Sequence, residues 1–318
     1  MKVVFKSLID KESALLFAKI EIKNILRRAK KNYDYYTFAV MELGTNILKY
    51  AKSGEIWLLE EDGEYILCAL DKGKGIKDLK WAMQKGNTTA KNSLGLGLYQ
   101  LANNDYFDFL IFTSSNTNLH GSVFMLKPKS LNNTQTFLKE NYMGLSHSGD
   151  FVFFKGRYVI VGDVLGHGLR ASKSVEFLKD FFYDNVFSCA TIDDMIKRLD
   201  KLLKLNKLRG LAFSIIEIGN KKISVCGVGN IGIMYKKENI KYITQKEGIL
   251  GEVYSRMSKH EITTEKNMLF LVFSDGIDEK ILYNILNESD DSYLISVCAV
   301  YFSDRVDDKI IFAYKEIE

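Results

Sequence analysis

The chain contains a single proline, Pro128, and it closes an apolar strand pattern, GSVFMLKP. The polar tract KPKSLNNTQT starts there and has the composition of a linker. This break constrains the fold more than any other feature, because each side must then build its own core. The 318 residues suit two domains of ordinary size. With 47% hydrophobic and 26% charged residues, each half has enough apolar side chain for a core. The boundary is expected between Pro128 and about Tyr142, giving domains 1–128 and 143–318 with a linker at 129–142.

In the first half, Leu15, Ala18, Ile22, Ile25, Leu26 and Ala29 recur at helical spacing, predicting a helix over 11–31. A second helix is predicted over 34–52, with Gly54 as its stop signal. EIWLLEEDGEYILCALD reads as a hairpin, two apolar runs around the turn pair Asp62-Gly63. Residues 76–93 are polar and read as a loop with at most a short helix. Residues 94–104 read as a helix, and FDFLIFTSS and GSVFMLKP as two strands.

Three features here carry chemistry. Glu42 and Asn46 are four apart, so they share one face of the second helix. Asp71, Gly73 and Gly75 close a strand, and Gly95 and Gly97 open a helix. Glycine lets backbone approach a phosphate closely, and a helix start favours its charge. An amide oxygen can serve Mg²⁺, and a carboxylate can deprotonate a hydroxyl. Singly, these are ordinary surface pairs and turns; in this order they are more specific. The series ExxxN, DxGxG and the GLGLGL-like SLGLGL resembles the GHKL ATPase superfamily. The short hairpin and the SLGLGLYQLANN helix resemble its anti-sigma-factor serine kinases, the RsbT/RsbW/SpoIIAB group. The resemblance covers residues 1 to about 127. It implies ATP and Mg²⁺, with Glu42 as base and Asn46 as Mg²⁺ ligand. Asp71 would bind the adenine amino group, Gly73 and Gly75 would shape its pocket, Gly95 and Gly97 would contact the phosphates, and Thr88 and Thr89 would belong to a lid. No phosphoacceptor-histidine helix precedes these motifs, so the implied substrate is a separate protein's Ser or Thr.

The second half starts with GDFVFFKGRYVIVGD, a hairpin turning at Lys155-Gly156. GHGLRASKSVEFLKDFF and TIDDMIKRLDKLLKL read as helices. GLAFSIIEI, KKISVCGVG, IGIMYKK and MLFLVFSDG read as strands. A short helix near 278–287 precedes SYLISVCAVYF and DKIIFAYKEI, both read as strands. Many short strands around two helices suggest a layered sandwich.

Four acidic positions fall at strand ends: Asp150, Asp163, Asp275 and the pair Asp290-Asp291. Carboxylates converging from separate strands suit hard divalent metals, and a pair of such ions can clamp a phosphoryl group for in-line attack. Each aspartate alone also reads as a turn former. The order SGD, GDxxGHG, SDG and DD before a strand resembles the metal-dependent, PPM-type Ser/Thr phosphatases. GDVLGHGLRAS has the form of their SpoIIE/RsbU/RsbX branch. This resemblance covers about 145–316. It implies Asp150, Asp163, Asp275 and Asp290 as ligands of two Mn²⁺ or Mg²⁺ ions, helped by the Val164 carbonyl, with Asp163 and Asp275 essential to catalysis. His167 takes the place of the GHG histidine, where a structural hydrogen bond is favoured over catalysis. Where the branch has DD-x-T, this chain has Ser292-Tyr293 after Asp290-Asp291; Asp290 is favoured as the ligand.

The expected class is therefore α+β: a GHKL α/β sandwich, with a mixed sheet covered by helices on one face, then a PPM-type β-sandwich flanked by helices. The two resemblances together imply a bifunctional regulator. One half would phosphorylate, and the other dephosphorylate, STAS-domain proteins that control a sigma factor or a stress response. In the alternative, the first half grips ATP and a STAS protein or sigma factor without transferring phosphate and regulates an active phosphatase half. A homodimer is compatible with the first resemblance. A net charge of +4 is too small to imply nucleic acid. No apolar run reaches the ~18–20 residues that cross a bilayer. Cys68, Cys189, Cys226 and Cys298 form no CxxC or Cys/His cluster, which argues against zinc. A cytoplasmic location is expected.

Overall fold

The computed structural model describes residues 1–87, 94–116, 119–131, 134–141, 147–166, 168–186, 191–254 and 256–317. The chain divides into two compact units, Met1–Asn133 and Thr134–Glu318.

The first unit runs β1 (Lys2–Ile9), α1 (Glu12–Arg28), α2 (Asp34–Asn46), a π-helical turn (Ile47–Ala51), β2 (Gly54–Glu61), β3 (Glu64–Asp71), α3 (Leu79–Ala82), α4 (Gly97–Ala102), β4 (Phe107–Asn116) and β5 (Leu119–Pro128). Its five strands lie in the order β1-β2-β3-β5-β4. Asp62 and Gly63 take φ of 52° and 76°, the backbone of a two-residue hairpin turn, so β2 and β3 pair in tight antiparallel register. Alternate residues Ile56, Leu58, Leu67, Ala69, Phe124 and Leu126 share a core with Leu15, Ile22 and Leu26 of α1 and Ala39, Val40 and Leu43 of α2. Helices thus cover this sheet face, as expected. The sheet is not mixed: all four of its pairings are antiparallel. Two of them are hairpins, whose short turns permit no other direction.

The second unit runs β6 (Gln135–Glu140), β7 (Asp150–Lys155), β8 (Tyr158–Val164), α5 (Leu169–Asn185), α6 (Ile192–Leu205), β9 (Leu211–Gly219), β10 (Lys222–Val228), β11 (Gly232–Lys236), β12 (Ile240–Tyr242), β13 (Ser258–Thr263), β14 (Leu269–Phe273), α7 (Glu279–Glu288), α8 (Ser292–Phe302) and β15 (Lys309–Lys315). It holds two antiparallel sheets, β13-β10-β9-β8-β7 and β12-β11-β14-β15-β6. Val159, Val161, Ile216 and Val225 of the first meet Ile233, Phe270, Val272 and Phe312 of the second in a shared core. The outer face of the first sheet, with Phe151, Phe153, Phe213 and Ile215, packs on Leu178 and Phe182 of α5 and on Ile196, Leu199 and Leu203 of α6. A cavity of about 20 Å³ in that layer is lined only by apolar side chains. It is water-sized and offers no polar partner, so it is a packing gap and not a ligand site.

Further sequence expectations need correction. Gln135–Glu140, inside the expected linker, forms β6 and pairs with β15. Its signal is short: Thr136 and Leu138 alternate inward within a polar stretch. SYLISVCAVYF is a helix, α8, not a strand. Almost every residue of it is buried, so the run has no amphipathic period, and periodicity cannot then separate helix from strand. The local signal was the cap, for Asp291 accepts the Leu294 N–H at 2.9 Å. In addition, β1, β12 and β13 form from stretches not read as strands.

Candidate functional site

The second unit gathers its acids at one rim of the sandwich. Asp150 opens β7 and Asp163 stands near the end of β8, and the hairpin register places them directly opposite each other. Opposed residues of an antiparallel pair have Cβ atoms ~4.5–5.5 Å apart, where like charges repel. Asp275 follows β14, and Asp307 and Asp308 precede β15; these strands are antiparallel neighbours, with Phe273 opposite Ile311. Ser274 locks the junction, its N–H donating to the Ile310 carbonyl at 3.1 Å and its Oγ accepting the Ile310 N–H at 3.0 Å. The two sheets are tied at this rim by the Gly149 N–H, which donates to Asp308 Oδ2 at 3.1 Å.

Glycines make the approach possible. A Cβ on Gly276 would collide with the Asp308 carbonyl, and one on Gly149 would sit 2.6 Å from the Val164 carbonyl. Gly166 takes φ of 76° beside the Arg209 guanidinium, whose Nη1 donates to the Leu165 carbonyl at 2.8 Å. Arg209 thereby braces the backbone that leaves Asp163.

The electrostatics report crowding. Burial raises the Asp150 carboxyl well above the usual carboxylate range, and Asp163 and Asp308 push the same way against the Ser274 hydroxyl and Lys139. Burial, then Asp275, Asp307 and Asp308, push Asp163 up to about 7. Asp275 is raised by burial and by Asp307, with Arg305 and Asn230 opposing. Burial lowers Lys139, whose Nζ donates to the Asp150 carbonyl at 2.7 Å. Asn230 Nδ2 donates to Asp275 Oδ2 at 2.7 Å and so orients that carboxylate.

Among the described residues, Lys139 and Arg305 are the cations that oppose these raised carboxylates, and Asp150 Oδ2 is buried without a hydrogen-bond partner. Among the described residues the carboxylates do not yet close as three or more around a single point. The donor set is nevertheless all hard oxygen: Asp150, Asp163, Asp275, Asp308 and the Val164 carbonyl. That set, with its orphaned buried oxygen, fits Mg²⁺ or Mn²⁺.

Asp290 does not belong to this set. Its carboxylate pairs with Lys236 Nζ at 2.7 Å, and Lys315 Nζ donates to its carbonyl at 2.9 Å. Lys236, Leu269 and Lys315 are register partners at the end of the sheet away from Asp275 and Asp308. At ~3.3 Å per strand residue, β15 alone separates the two ends by about 20 Å. The acids that precede the last strand are Asp307 and Asp308. DDK before IIFAYK was their signal, and reading α8 as a strand moved the motif to Asp290-Asp291. Asp291 caps a helix instead. His167 lies outside the described residues.

In the first unit, Glu42 and Asn46 lie on α2, and Asn46 is its last residue before the π-helical turn. Gly97 opens α4 against Glu42, since a Cβ there would collide with Glu42 Oε2. Asp71 ends β3, buried; it accepts the Gly73 N–H at 2.8 Å, and burial raises its carboxyl. Gly75 takes φ of 67° against the Ser114 carbonyl, and Gly95 takes φ of 62° with its carbonyl accepting the Gly86 N–H at 3.0 Å. Thr88 and Thr89 lie outside the described residues. The structure thus joins Glu42 to Gly97, and Asp71 to Gly73.

Residues 155–297 match the family model of Stage II sporulation protein E (SpoIIE). A search of curated proteins found no match. Among solved structures, RsbX in complex with magnesium is similar at 24% identity and a TM-score of 0.49, over 57% of this chain and 94% of that one. A structure described under the bacterial stressosome, as a modular system adapted to control secondary messenger signaling, is similar at 19% identity and 0.46, over 56% and 97%. The Mycobacterium tuberculosis serine/threonine phosphatase PstP/Ppp is similar at 10% identity and 0.46, over 57% and 98%. Among the described residues, no helix is long and apolar enough to cross a membrane.

Proposed function

We propose that the second unit is a divalent-metal-dependent phosphatase acting on phosphoserine or phosphothreonine in a protein. The observation that carries this reading is the rim: Asp150 and Asp163 face each other across a hairpin, with Asp275 and Asp308 beside them and Asp150 Oδ2 left without a partner. The SpoIIE match over 155–297 supports the same reading. Asp150, Asp163, Asp275, Asp308 and the Val164 carbonyl would hold two Mg²⁺ or Mn²⁺ ions. When bound, such a pair supplies Lewis acidity to a phosphoryl group and its attacking water. Asn230 orients Asp275, Arg209 braces the chain beyond Asp163, and Lys139 pins the Asp150 backbone. The substrate class follows the resemblance of GDVLGHGLRAS to its branch: a STAS-domain protein whose phosphorylation sets the release of a sigma factor or another regulator. The test is hydrolysis of a phosphoserine peptide with Mn²⁺ and with chelator. Activity that survives chelation contradicts the proposal.

A second reading concerns the first unit, and Gly97 favours it. The lack of a Cβ there leaves the room that the Glu42 carboxylate occupies. We infer a Mg-ATP site in which Asn46 holds the metal, Asp71 reads the adenine amino group, and Gly73, Gly75, Gly95 and Gly97 admit the nucleotide. Glu42 would then serve as the base for phosphorylating a STAS partner. Without transfer, the unit would be an ATP-dependent grip on that partner. Asn46→Ala should abolish Mg-ATP binding in calorimetry; unchanged affinity removes Asn46 from the site. Glu42→Ala should keep ATP and partner binding but lose ~10²–10⁴ in transfer rate. A wild type that binds both and transfers nothing decides for the grip.

A further inference from the structure

We propose that Arg305 binds the substrate's phosphoryl group at the rim of the acidic site. This rests on the phosphatase reading. Arg305 lies in the loop between α8 and β15 that also carries Asp307 and Asp308. That loop is fixed at both ends. Ser303 Oγ accepts the Asp278 N–H at 2.9 Å, and the buried Asp308 accepts the Gly149 N–H at 3.1 Å. Arg305 is therefore presented from a held backbone.

The guanidinium is anchored chiefly by backbone, and its one ion pair among the described residues is long. Its Nη1 donates to the Asp275 backbone carbonyl at 2.6 Å, not to a carboxylate. The Asp275 carboxylate instead accepts from Asn230. The nearest acid, Asp278, is 4.0 Å from Nε, and its other oxygen caps α7 by accepting the Lys280 and Ile281 N–H groups. The Arg305 side chain is 48% exposed, and its Nη2 has no partner among the described residues.

Ions bound by the carboxylates would consume the charge of Asp275. Arg305 would then remain as a half-exposed cation beside them, with only the 4.0 Å pair to Asp278 among the described residues. A planar fork of this kind matches the oxygens of a phosphomonoester dianion, which it can bind through two parallel N–H groups. Lysine supplies the charge but not the fork. Exposed Val306 follows directly and offers an apolar contact for the peptide around the phosphoresidue.

The test uses the full chain with Mn²⁺, a phosphoserine peptide and inorganic phosphate. Arg305→Gln should raise KM and the inhibition constant of inorganic phosphate together, by about ten- to a hundredfold. Arg305→Lys should fall between Gln and wild type. Mn²⁺ affinity by calorimetry should be unchanged in both, because Arg305 ligates nothing. Unchanged KM and unchanged phosphate inhibition in Arg305→Gln would overturn the proposal. So would weakened Mn²⁺ binding with unchanged phosphate inhibition, which would make Arg305 a support for Asp275 only. A wild type that hydrolyses nothing defeats the phosphatase reading alone. Calorimetric binding of inorganic phosphate to the Mn²⁺-loaded chain then still tests Arg305, with the same loss expected in Arg305→Gln.

Discussion

The two units surround their acids in opposite ways. In the first, Glu42 sits against Gly97 and Asp71 against the Gly73 N–H, so each carboxylate has its own surroundings. Asp71 is raised by burial alone, with hydrogen bonds opposing. In the second, burial is joined by neighbouring acids: Asp163 and Asp308 raise Asp150, Asp275, Asp307 and Asp308 raise Asp163, and Asp307 raises Asp275. Isolated acids can be satisfied by backbone N–H groups. Clustered acids on rigid strand ends need positive charge from outside. The contrast therefore separates a unit whose stability should ignore divalent metal from one whose stability should depend on it.

The largest expected effect tests which acids belong to the cluster. Asp163→Asn and Asp308→Asn should each lower phosphopeptide hydrolysis by at least ~10²-fold, beyond what loss of a supporting residue costs. Asp290→Asn should leave kcat/KM unchanged, because its partner is Lys236 at the other end of the sheet. Loss of activity in Asp290→Asn would break the assignment.

Asn230→Ala comes next. It frees the Asp275 carboxylate, and Mn²⁺ affinity should fall by about 10–100-fold, as for other groups that orient a ligand. Calorimetry reads it directly. Unchanged affinity would make the Asn230 hydrogen bond incidental.

A third effect is in pH. The Asp163 carboxyl ordinarily titrates near 3.8 and is raised to about 7 in the folded chain, so the folded state holds that proton more tightly. Its contribution to stability is full below about pH 4 and is lost as pH rises through 7. The Tm of the metal-free protein should therefore fall from pH 5 to pH 8. Asp71 is raised as well and acts in the same direction. Only the contribution from the second unit should vanish when Mn²⁺ is added, and Asp163→Asn should remove part of it, the rest coming from Asp150 and Asp275, which are raised as well. A Tm–pH slope that Mn²⁺ leaves unaltered would erase the difference between the units.

The smallest effect concerns the first unit. Gly97→Ala should weaken ATP binding by forcing Glu42 aside, and Glu42→Ala in the same chain should restore part of it. Such coupling is expected between residues in contact. Phosphatase activity should not change in either variant. Fluorescent-nucleotide titration measures the cycle; simple additivity would mean that the two groups do not press on each other.

Legibility from sequence followed the strength of local patterns. Asp62-Gly63 and the VIVGD and FLVFSD strand ends announced themselves, because turn chemistry and strand alternation are local. Asp150, Asp163 and Asp275 could therefore be placed at strand ends from the sequence. Asp308 was not, because its role depends on which apolar run is the last strand. The buried α8 imitates a strand in composition, so the acids before it took the place of those before β15. Arg305 and Asn230 carried no sequence signal of their own; their contacts to Asp275 arise only when distant strands become neighbours. β6 was hidden in the same way, since only pairing with β15 makes a strand of so polar a stretch.

Calorimetric titration of the full chain with MnCl₂, wild type beside Asp308→Asn and Asp290→Asn, tests the acidic rim as a metal centre most directly. The wild type and Asp290→Asn should bind about two ions saturably, and Asp308→Asn should lose at least one of them. Absence of saturable binding in the wild type, or loss of binding in Asp290→Asn with retention in Asp308→Asn, would contradict it.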